Sequence, residues 1–263
     1  MIEVNKVSTI KSSILDGIEV KSATFIDKNF PFHFHQCWSL ACIEYGSENI
    51  AFNNSEFLVS KNALQLIPPY SIHKNWGNTN SAWTYKALYI SNDVVKNVSK
   101  KINADYSHLA SFPYFISYSN NEFDINEASI FKILENLFLD TLNDAKQSYF
   151  QKNADEPFDD ILNYLSLNYN QSITLEMLQK KFKVNKFKLQ KSFKKNIGLT
   201  PLEYLTTIRI ENSKKLFYGD VPLVEIALES GFYDQSHFTH SFKKYVGVTP
   251  GNYKKNSKIL QDL

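Results

Sequence analysis

The most constraining feature of this chain is a twelve-residue segment that occurs nearly twice, 49 positions apart. Residues 193–204 reappear as residues 242–253, and seven of the twelve pairs are identical. A sequence repeat of this kind marks a structural unit that has been used twice. The C-terminal part of the chain is therefore expected to contain two copies of one small fold.

Each copy has the pattern of a short helix, a tight turn and a second helix. In the second copy, Pro222 suits a first helical turn and Gly231 suits the left-handed end of that helix. Asp234 is then a good N-cap for the next helix, and Asn185 takes that place in the first copy. Two helices joined in this way form a helix-turn-helix unit.

The second helix of each copy has one apolar face and one polar face. Such a polar face suits the major groove of DNA, with cations for phosphates and amides or hydroxyls for base edges. A solvated lysine face is the alternative for a single helix, but two capped copies in register favour DNA binding. The candidate contacts are Asn185, Lys186, Phe187, Lys188, Gln190, Lys191, Lys194, Gln235, Ser236, His237, Thr239, His240 and Lys243.

Residues 173–253 closely resemble the DNA-binding domain of bacterial transcription regulators of the AraC/XylS type. The matching stretches are residues 225–232 and 234–244, then the Gly-Val-Thr-Pro motif at 247–250, and Tyr253. The resemblance implies that both second helices enter successive major-groove segments on one face of DNA. It also places Arg209 in a long helix that links the units. Position 240, often arginine in the family, is histidine here.

Charge divides the chain in the same way as the repeat. Residues 157–263 carry 16 Lys and Arg against 10 Asp and Glu, whereas residues 1–156 carry 13 against 17. The basic half suits a polyanion, and the acidic half is not expected to bind DNA unaided. No secretory or membrane-spanning segment is visible, so a cytoplasmic protein without a membrane partner is expected.

Residues 1–120 have the pattern of short strands and turns that is typical of a β-barrel or sandwich. The segments 31–35, 44–46, 66–69 with His73, and 83–90 resemble the cupin-like sensor domain of the same regulator family. The predicted fold class is α+β, with an N-terminal cupin-like β-barrel and a C-terminal all-α domain of two helix-turn-helix units.

Six residues are candidates for binding a small effector in the barrel: His33, His35, Trp38, Tyr45, His73 and Trp83. The three histidines could also ligate a metal, because imidazole suits Zn, Fe or Ni. The sequence departs from the metal-binding cupin pattern, however. Glu44 lies too far past His35, and Asn62 and Tyr70 stand where glycines belong. Structural or ligand-facing histidines without a metal are therefore expected, and the aromatic residues could equally form plain core.

A helix is predicted over about residues 125–147, because apolar residues there follow helical spacing. Its apolar stripe must be buried either on the barrel or against its copy in a second subunit. The family resemblance favours a homodimer through this region. The domain division is thus a sensor barrel at 1–120, this helix and a linker at 121–156, and a DNA-binding domain at 157–263.

These patterns predict a sequence-specific transcription regulator whose barrel senses a small effector. Double-stranded DNA is the main expected partner, and RNA polymerase is a further candidate. No nucleophile motif, phosphate loop or zincin helix is visible, so neither an enzyme nor a cofactor is expected. The alternative is a cupin-type metalloenzyme domain tethered to a DNA-binding domain. Because Arg209 is the one arginine in the chain, we also predict an operator rich in A·T pairs.

Overall fold

The computed structural model describes residues 6–11, 18–52, 55–61, 63–78, 81–103, 106, 114–117, 132–136 and 156–259. The strands are β1 (Lys6–Lys11), β2 (Ile18–Ile26), β3 (Trp38–Tyr45), β4 (Ser47–Phe52), β5 (Ser55–Ser60), β6 (Ala63–Ile67), β7 (His73–Gly77), β8 (Ala82–Ile90) and β9 (Tyr114–Ser117). The helices are α1 (Asn92–Lys101), α2 (Glu156–Leu167), α3 (Leu175–Phe182), α4 (Lys186–Ile197), α5 (Pro201–Leu216), α6 (Leu223–Glu229), α7 (Gln235–Val246) and α8 (Pro250–Ile259).

The N-terminal domain, β1–β9 with α1, consists of two antiparallel sheets. The larger sheet has the strand order β1-β2-β8-β3-β6-β9 and the smaller has the order β5-β4-β7. Gly46, at φ +74°, makes the tight turn through which the chain leaves one sheet and enters the other. The predicted α+β class is confirmed, although the sheets of the N-terminal domain do not close into the β-barrel named in that prediction. Among the described strands, no ladder joins the edges of the two sheets, so they face each other as an open sandwich.

The C-terminal domain, α2–α8, contains the two predicted helix-turn-helix units. We call α3 and α4 the first unit, α6 and α7 the second unit, and α4 and α7 the recognition helices. Asn185 accepts hydrogen bonds from the N–H groups of Phe187 and Lys188, and Asp234 accepts one from that of His237. These caps begin the recognition helices at residues 186 and 235, which are 49 positions apart like the repeat.

Helix α5 joins the two units and is buried on several sides. Thr200 and Glu203 form a capping box at its start, with Pro201 in the first turn. Ile208 packs in the core of the first unit and Ile210 in that of the second. Arg209 lies in this linking helix, as the family resemblance implied, and donates hydrogen bonds of 2.8 Å to the carbonyl oxygens of Tyr169 and Gln171.

The two domains share one hydrophobic core. Phe25 and Phe30 of the N-terminal domain belong to the same buried cluster as Phe242 and Tyr245 of α7. Helix α8 packs against β1, and the hydroxyl of Tyr253 donates to the Glu19 carboxylate at 2.9 Å. Contacts of this kind fix the position of one domain against the other.

The predicted helix at 125–147 lies largely outside the described residues. Residues 132–136 are helical, and Ile133 and Leu134 are buried in the same cluster as Trp38 and Leu40. This part of the apolar stripe therefore packs on the N-terminal domain of its own chain. Among the described helices, none has the length and apolar character needed to cross a membrane.

Candidate functional site

A polar cavity of about 40 Å³ lies between the two sheets and the C-terminal domain. It has room for about three water-sized groups. Most of its wall comes from the N-terminal domain, and Lys214 of α5 and the end of α7 complete it. The lining residues are Lys21, Phe30, His33, His35, Ser39, Ala41, Glu48, Ile50, Gln65, Ile67, His73, Asn75, Tyr85, Ala87, Tyr89, Lys214, Tyr245 and Val246.

The chain between β2 and β3 links this cavity to both helix-turn-helix units; we call residues 28–36 the bridging segment. Phe30 is buried in the core that includes the second unit, and Phe34 is buried in the core of the first. The Phe34 ring lies 4.9 Å from that of Tyr204 on α5. Between these anchors, His33 and His35 line the cavity. A single short segment therefore contacts the cavity and both units.

Three histidines meet in the cavity, as their sequence pattern suggested. His33 and His73 exchange both backbone hydrogen bonds, at 2.8 and 2.9 Å, and their ring centroids are 4.4 Å apart. The His35 ring lies 5.1 Å from that of His33 and 5.4 Å from that of His73. One ring nitrogen from each histidine can be chosen so that all three lie within 4.8 Å of one another.

The Nδ1 atom of each histidine is held by a hydrogen-bond acceptor. The acceptors are the Pro31 carbonyl for His33 at 2.8 Å, the Ser71 carbonyl for His73 at 2.8 Å, and the Glu211 carboxylate for His35 at 3.2 Å. Carbonyls and carboxylates accept only, so each Nδ1 carries the proton and donates. In a neutral ring this leaves the Nε2 atom with a lone pair.

Burial keeps these rings neutral. Desolvation lowers the pKa of His73 to about 3, with a further contribution from His35. Desolvation also places the pKa of His33 well below its usual value. For His35 the pKa is lowered by the same cause, although the Glu211 carboxylate opposes the shift. The cavity therefore presents three uncharged imidazoles at physiological pH.

Glu211 ties the histidine cluster to α5. Its carboxylate also forms a buried ion pair with Lys214, one turn further along the helix. Desolvation alone would raise the pKa of Glu211, but Lys214 and His35 prevail and hold that pKa below its usual range. His35 and Glu211 are 176 positions apart in the sequence. Since His35 lines the cavity and Glu211 lies on α5, their hydrogen bond connects the cavity to the helix between the two units.

Two further ionisable groups stand in the cavity wall. Lys21 of β2 is buried, and desolvation together with the charge of Lys214 lowers its pKa to about 7. Glu48 of β4 accepts hydrogen bonds from the amides of Gln65 and Asn75. Desolvation raises the pKa of Glu48 despite those bonds. The cavity thus combines neutral nitrogen donors with the amines of Lys21 and Lys214 and the carboxyl group of Glu48.

The other predicted effector residues lie away from this cavity. Trp38 and Trp83 are fully buried in two different hydrophobic clusters, and Tyr45 is 61% exposed at the end of β3. Glu44 is exposed as well; the carboxylate in the cavity wall is that of Glu48, and Glu211 contacts the lining residue His35 from behind. Tyr70, where the cupin pattern has glycine, adopts a left-handed φ of +62°.

The predicted DNA-contacting residues all lie on the recognition helices or at their caps. Ten are exposed: Asn185, Phe187, Lys188, Lys191, Lys194, Gln235, Ser236, His237, His240 and Lys243. Three are partly exposed: Lys186, Gln190 and Thr239. Two lysines have acidic neighbours, since Lys186 pairs with Glu176 at 3.0 Å and Lys194 lies 3.4 Å from Glu203. The apolar faces of both helices are buried, as their spacing predicted.

Sequence reasoning missed several residues of these sites. Tyr233, next to the Asp234 cap, is 89% exposed beside the recognition face of α7. Its position directly before a predicted cap was the available signal. Lys21, Glu48 and Lys214 line the cavity from three different elements, β2, β4 and α5, and only folding brings them together. Glu211, on α5 as well, reaches the cavity through its bond to His35.

The chain matches a known protein family in each of its two halves. It matches the family described as "AraC-like ligand binding domain" over residues 17–150 and a "Helix-turn-helix domain" over residues 178–256. The uncharacterized HTH-type transcriptional regulator YbfI of Bacillus subtilis is 30% identical over 226 residues, which cover 81% of this chain and 82% of that protein. The lactose operon transcription activator of Staphylococcus xylosus is 30% identical over 54% of this chain and 50% of its own length.

Among solved structures, the fold resembles ToxT from Vibrio cholerae with a bound unsaturated fatty acid. That structure has a TM-score of 0.63 and 16% sequence identity, over 93% of this chain and 97% of ToxT. The match covers both domains together. The shared fold and the two family matches lead to one assignment: this chain belongs to the AraC family of transcriptional regulators, with an N-terminal effector-binding domain and a C-terminal helix-turn-helix domain.

Proposed function

We propose that an occupant of the polar cavity controls how the two recognition helices are placed on DNA. The observation that carries this proposal is the contact between the cavity and α5. His35 lines the cavity and bonds to Glu211, and α5 contributes to the cores of both units. An occupant that moves His35 therefore acts on the helix that sets the spacing of α4 and α7.

The bridging segment supplies a second route for the same coupling. Phe30 and Phe34 are fixed in the cores of different units, and His33 and His35 alternate with them along the chain. Close-packed interiors switch between discrete arrangements rather than deforming continuously. A small displacement of the imidazoles is therefore expected to change the packing of both units together.

The chemistry of the cavity favours a small polar effector. Its volume of about 40 Å³ and its ring of histidine, lysine, carboxylate and amide groups suit an ion or a few-atom ligand. ToxT was solved with an unsaturated fatty acid, a much longer and mostly apolar ligand. We infer that this chain uses the corresponding domain arrangement for a different class of effector.

On DNA, we assign different tasks to different residues of the recognition helices. Gln235, Ser236 and Thr239 lie in the first turns of α7, and we assign base edges to them. Lys191, Lys194 and Lys243 are exposed, and we assign phosphates to them. Arg209, the one arginine, is committed to backbone carbonyls, which supports an A·T-rich operator read by amides, hydroxyls and apolar contacts.

We further propose that the protein acts in the cytoplasm as a homodimeric regulator rather than as an enzyme, with RNA polymerase as a candidate partner. The relatives that match along most of the chain are transcriptional regulators. Ile133 and Leu134 are buried against the N-terminal domain of their own chain. A dimer formed through the 125–147 region would therefore have to use other apolar residues of that region. The domain division at residues 120 and 156 is kept as part of this proposal.

The coupling is tested by Glu211→Gln in the full chain. The operator is first obtained by selection from a random DNA pool, in which a G·C-dominated motif would contradict the A·T assignment. Because Glu211 lies away from the recognition faces, a change of about 5-fold or more in operator affinity, in either direction, would come through α5. The control is Glu56→Gln, an exposed glutamate on β5. Equal operator affinities for the two variants and the wild type would refute the coupling.

A further inference from the structure

The three histidines of the cavity share a feature that neither core packing nor simple hydrogen bonding explains. Their Nδ1–H groups donate to the carbonyl oxygens of Pro31 and Ser71 and to the carboxylate of Glu211. Their Nε2 atoms make no hydrogen bond to any residue that the structure describes. The buried rings of His33 and His73 and the partly buried ring of His35 thus each leave a lone pair without a donor among the described residues.

This arrangement is the one that metal-binding histidines adopt. In such sites the ring nitrogen that does not bind the metal donates its hydrogen to a carbonyl or carboxylate, which fixes the tautomer and the orientation of the ring. Here two rings use backbone carbonyls and the third uses a carboxylate. Neutral imidazoles are also the form that binds a metal.

We propose that His33, His35 and His73 bind one divalent transition-metal ion through their Nε2 atoms. Imidazole donors suit the zinc, nickel, cobalt and iron class. Metal binding stands on the geometry of the cavity, whereas its effect on DNA rests on the function proposed above. The proposed metal site differs from the expectation from sequence, which was that these histidines hold no metal.

The distances require a modest closure of the cluster. One nitrogen from each ring can be chosen so that all three lie within 4.8 Å of one another, whereas zinc–nitrogen bonds near 2.0–2.1 Å place tetrahedral nitrogens about 3.3 Å apart. Rotation of the side chains that brings the Nε2 atoms to that spacing would complete the site. The backbones of all three histidines are fixed, since His33 pairs with His73 and the His35 carbonyl oxygen accepts from the Tyr70 N–H. A movement of the His35 ring would therefore act on its bond to Glu211. That movement would be felt by Glu211 and α5.

Three protein ligands leave part of the coordination sphere open toward the cavity. Sites with three protein ligands commonly bind water or a small ligand at the remaining position. Lys214 in the same wall, and Lys21 when it is protonated, oppose a bare cation but favour an anionic oxygen ligand on the ion. Glu48 and Glu211 offset part of the metal's charge. We therefore expect the bound ion to carry a water, hydroxide or small oxyanion.

The first experiment measures metal binding by the purified full chain. Protein stripped by a chelator is titrated with CoCl₂, whose visible spectrum reports nitrogen coordination, and bound zinc, nickel, cobalt and iron are measured by elemental analysis after separate additions. One ion per chain is expected. His73→Gln and His35→Gln should each weaken cobalt binding by at least about 100-fold, since replacement of a ligand costs more than loss of its supporting hydrogen bond.

The matched control is the double variant His237→Gln/His240→Gln, whose histidines are exposed on α7. Its cobalt stoichiometry and affinity should equal those of the wild type, which separates the cavity from adventitious binding to surface histidines. Circular dichroism verifies that each variant is folded. A folded wild-type chain that binds no stoichiometric ion ends the proposal, whatever the variants do. Undiminished binding by His35→Gln and His73→Gln would also end it.

A final measurement separates metal binding from regulation. Operator affinity is compared for the stripped and the metal-loaded wild-type chain, with His73→Gln as the metal-blind reference. A metal-dependent change in the wild type alone supports both proposals. Stoichiometric binding without any change in DNA affinity would retain the metal site and reject its regulatory role. Coupling through Glu211 without metal binding would retain the proposed function and reject this inference.

Discussion

Gly198 and Gly247 end the two recognition helices in the same left-handed conformation, with φ values of +82° and +96°. Their surroundings differ. A Cβ atom added at Gly198 would meet no atom within 4 Å, whereas at Gly247 it would lie 2.7 Å from the ring of Phe25. The sequence repeat therefore reproduces the local structure of the units, and the N-terminal domain makes them unequal.

The same inequality extends along the two helices. Helix α4 buries Leu189 and Phe193, while α7 buries five residues, including Tyr245 and Val246 at the cavity. Lys28 of the bridging segment also donates to the carbonyl oxygens of Lys243 and Lys244 at the end of α7, at 3.3 and 3.4 Å. The second unit is thus held by the effector-binding domain, and the first is held mainly through Phe34.

The largest expected difference between the units comes from Gly247→Ala and Gly198→Ala. Both impose a left-handed conformation on alanine, at a cost of about 1–2 kcal/mol. Only Gly247→Ala also forces a Cβ atom against Phe25 and Phe30, which adds about 1–3 kcal/mol. Urea unfolding should show the greater loss of stability for Gly247→Ala. Equal losses of stability for the two variants would show that the packing of Phe25 and Phe30 against position 247 does not hold the second unit tightly.

The next comparison concerns DNA. Gln235→Ala in α7 should cost about 1–3 kcal/mol on the operator and relax the preference at one base pair. Lys194→Ala in α4 should weaken all sequences similarly and reduce the salt dependence of binding. Fluorescence anisotropy against operator and random duplexes at several salt concentrations distinguishes these effects. If Gln235→Ala weakens both duplexes equally, Gln235 does not read a base.

A smaller effect is expected from Lys28→Met, which keeps the aliphatic stem but removes the ammonium from the end of α7. A cation at a helix C-terminus contributes about 0.3–1 kcal/mol. Urea unfolding should show a loss of that size at low salt and a smaller one at high salt. Lys96→Met on α1, away from the recognition helices, provides the control. If Lys28→Met leaves the stability unchanged at every salt concentration, the Lys28 ammonium does not help to hold the second unit against the N-terminal domain.

The smallest expected effect is a pH dependence of stability that arises at the helix following the first unit and has no counterpart after the second. Glu203 closes the capping box of α5, whereas the equivalent residue after the second unit is Asn252. Partial burial would raise the pKa of Glu203, but hydrogen bonds with Thr200 and the charge of Lys194 prevail and lower it. Its contribution is therefore present above about pH 4.3, the usual pKa of glutamate, and is lost as pH falls through the folded value.

Glu203→Gln should accordingly destabilise the chain at pH 7 by no more than about 0.5 kcal/mol, because this carboxylate is partly exposed and screened by solvent. The difference from the wild type should shrink at pH 3.5. Calorimetric melting at both values measures it. A difference that grows on acidification would mean that Glu203 is not stabilised as its carboxylate.

Sequence was most informative where structure is local. The caps Asn185 and Asp234 and the apolar spacing of Leu189 and Phe193 determine the helix-turn-helix units without reference to distant residues. In the first unit Lys183 takes the left-handed position, where a glycine would have been easier to recognise. These features involve neighbours within one or two helical turns, and that is the range over which sequence patterns are reliable.

Predictions failed or remained open where distant segments meet. Closure of a barrel depends on how strand edges pair, which alternating apolar residues do not specify. The same alternation could not tell whether a tryptophan faces the cavity or the hydrophobic core, and Trp38 and Trp83 both lie in the core. The bond between His35 and Glu211 joins domains, so no pattern within either domain could have predicted it. His33, His35 and His73 were proposed together because their segments resemble the sensor domain of the family, and the structure brings their rings together.

The alternation of Phe30, His33, Phe34 and His35 also limits how this protein could be recombined with its relatives. A chimera that joins the N-terminal domain to a foreign DNA-binding domain would pull Phe30 and Phe34 out of the two cores that bury them and leave His35 without Glu211. Exchange of whole domains at a linker would therefore produce a mismatched surface rather than a new sensor. The bridging segment and α5 must be inherited, or engineered, as a pair.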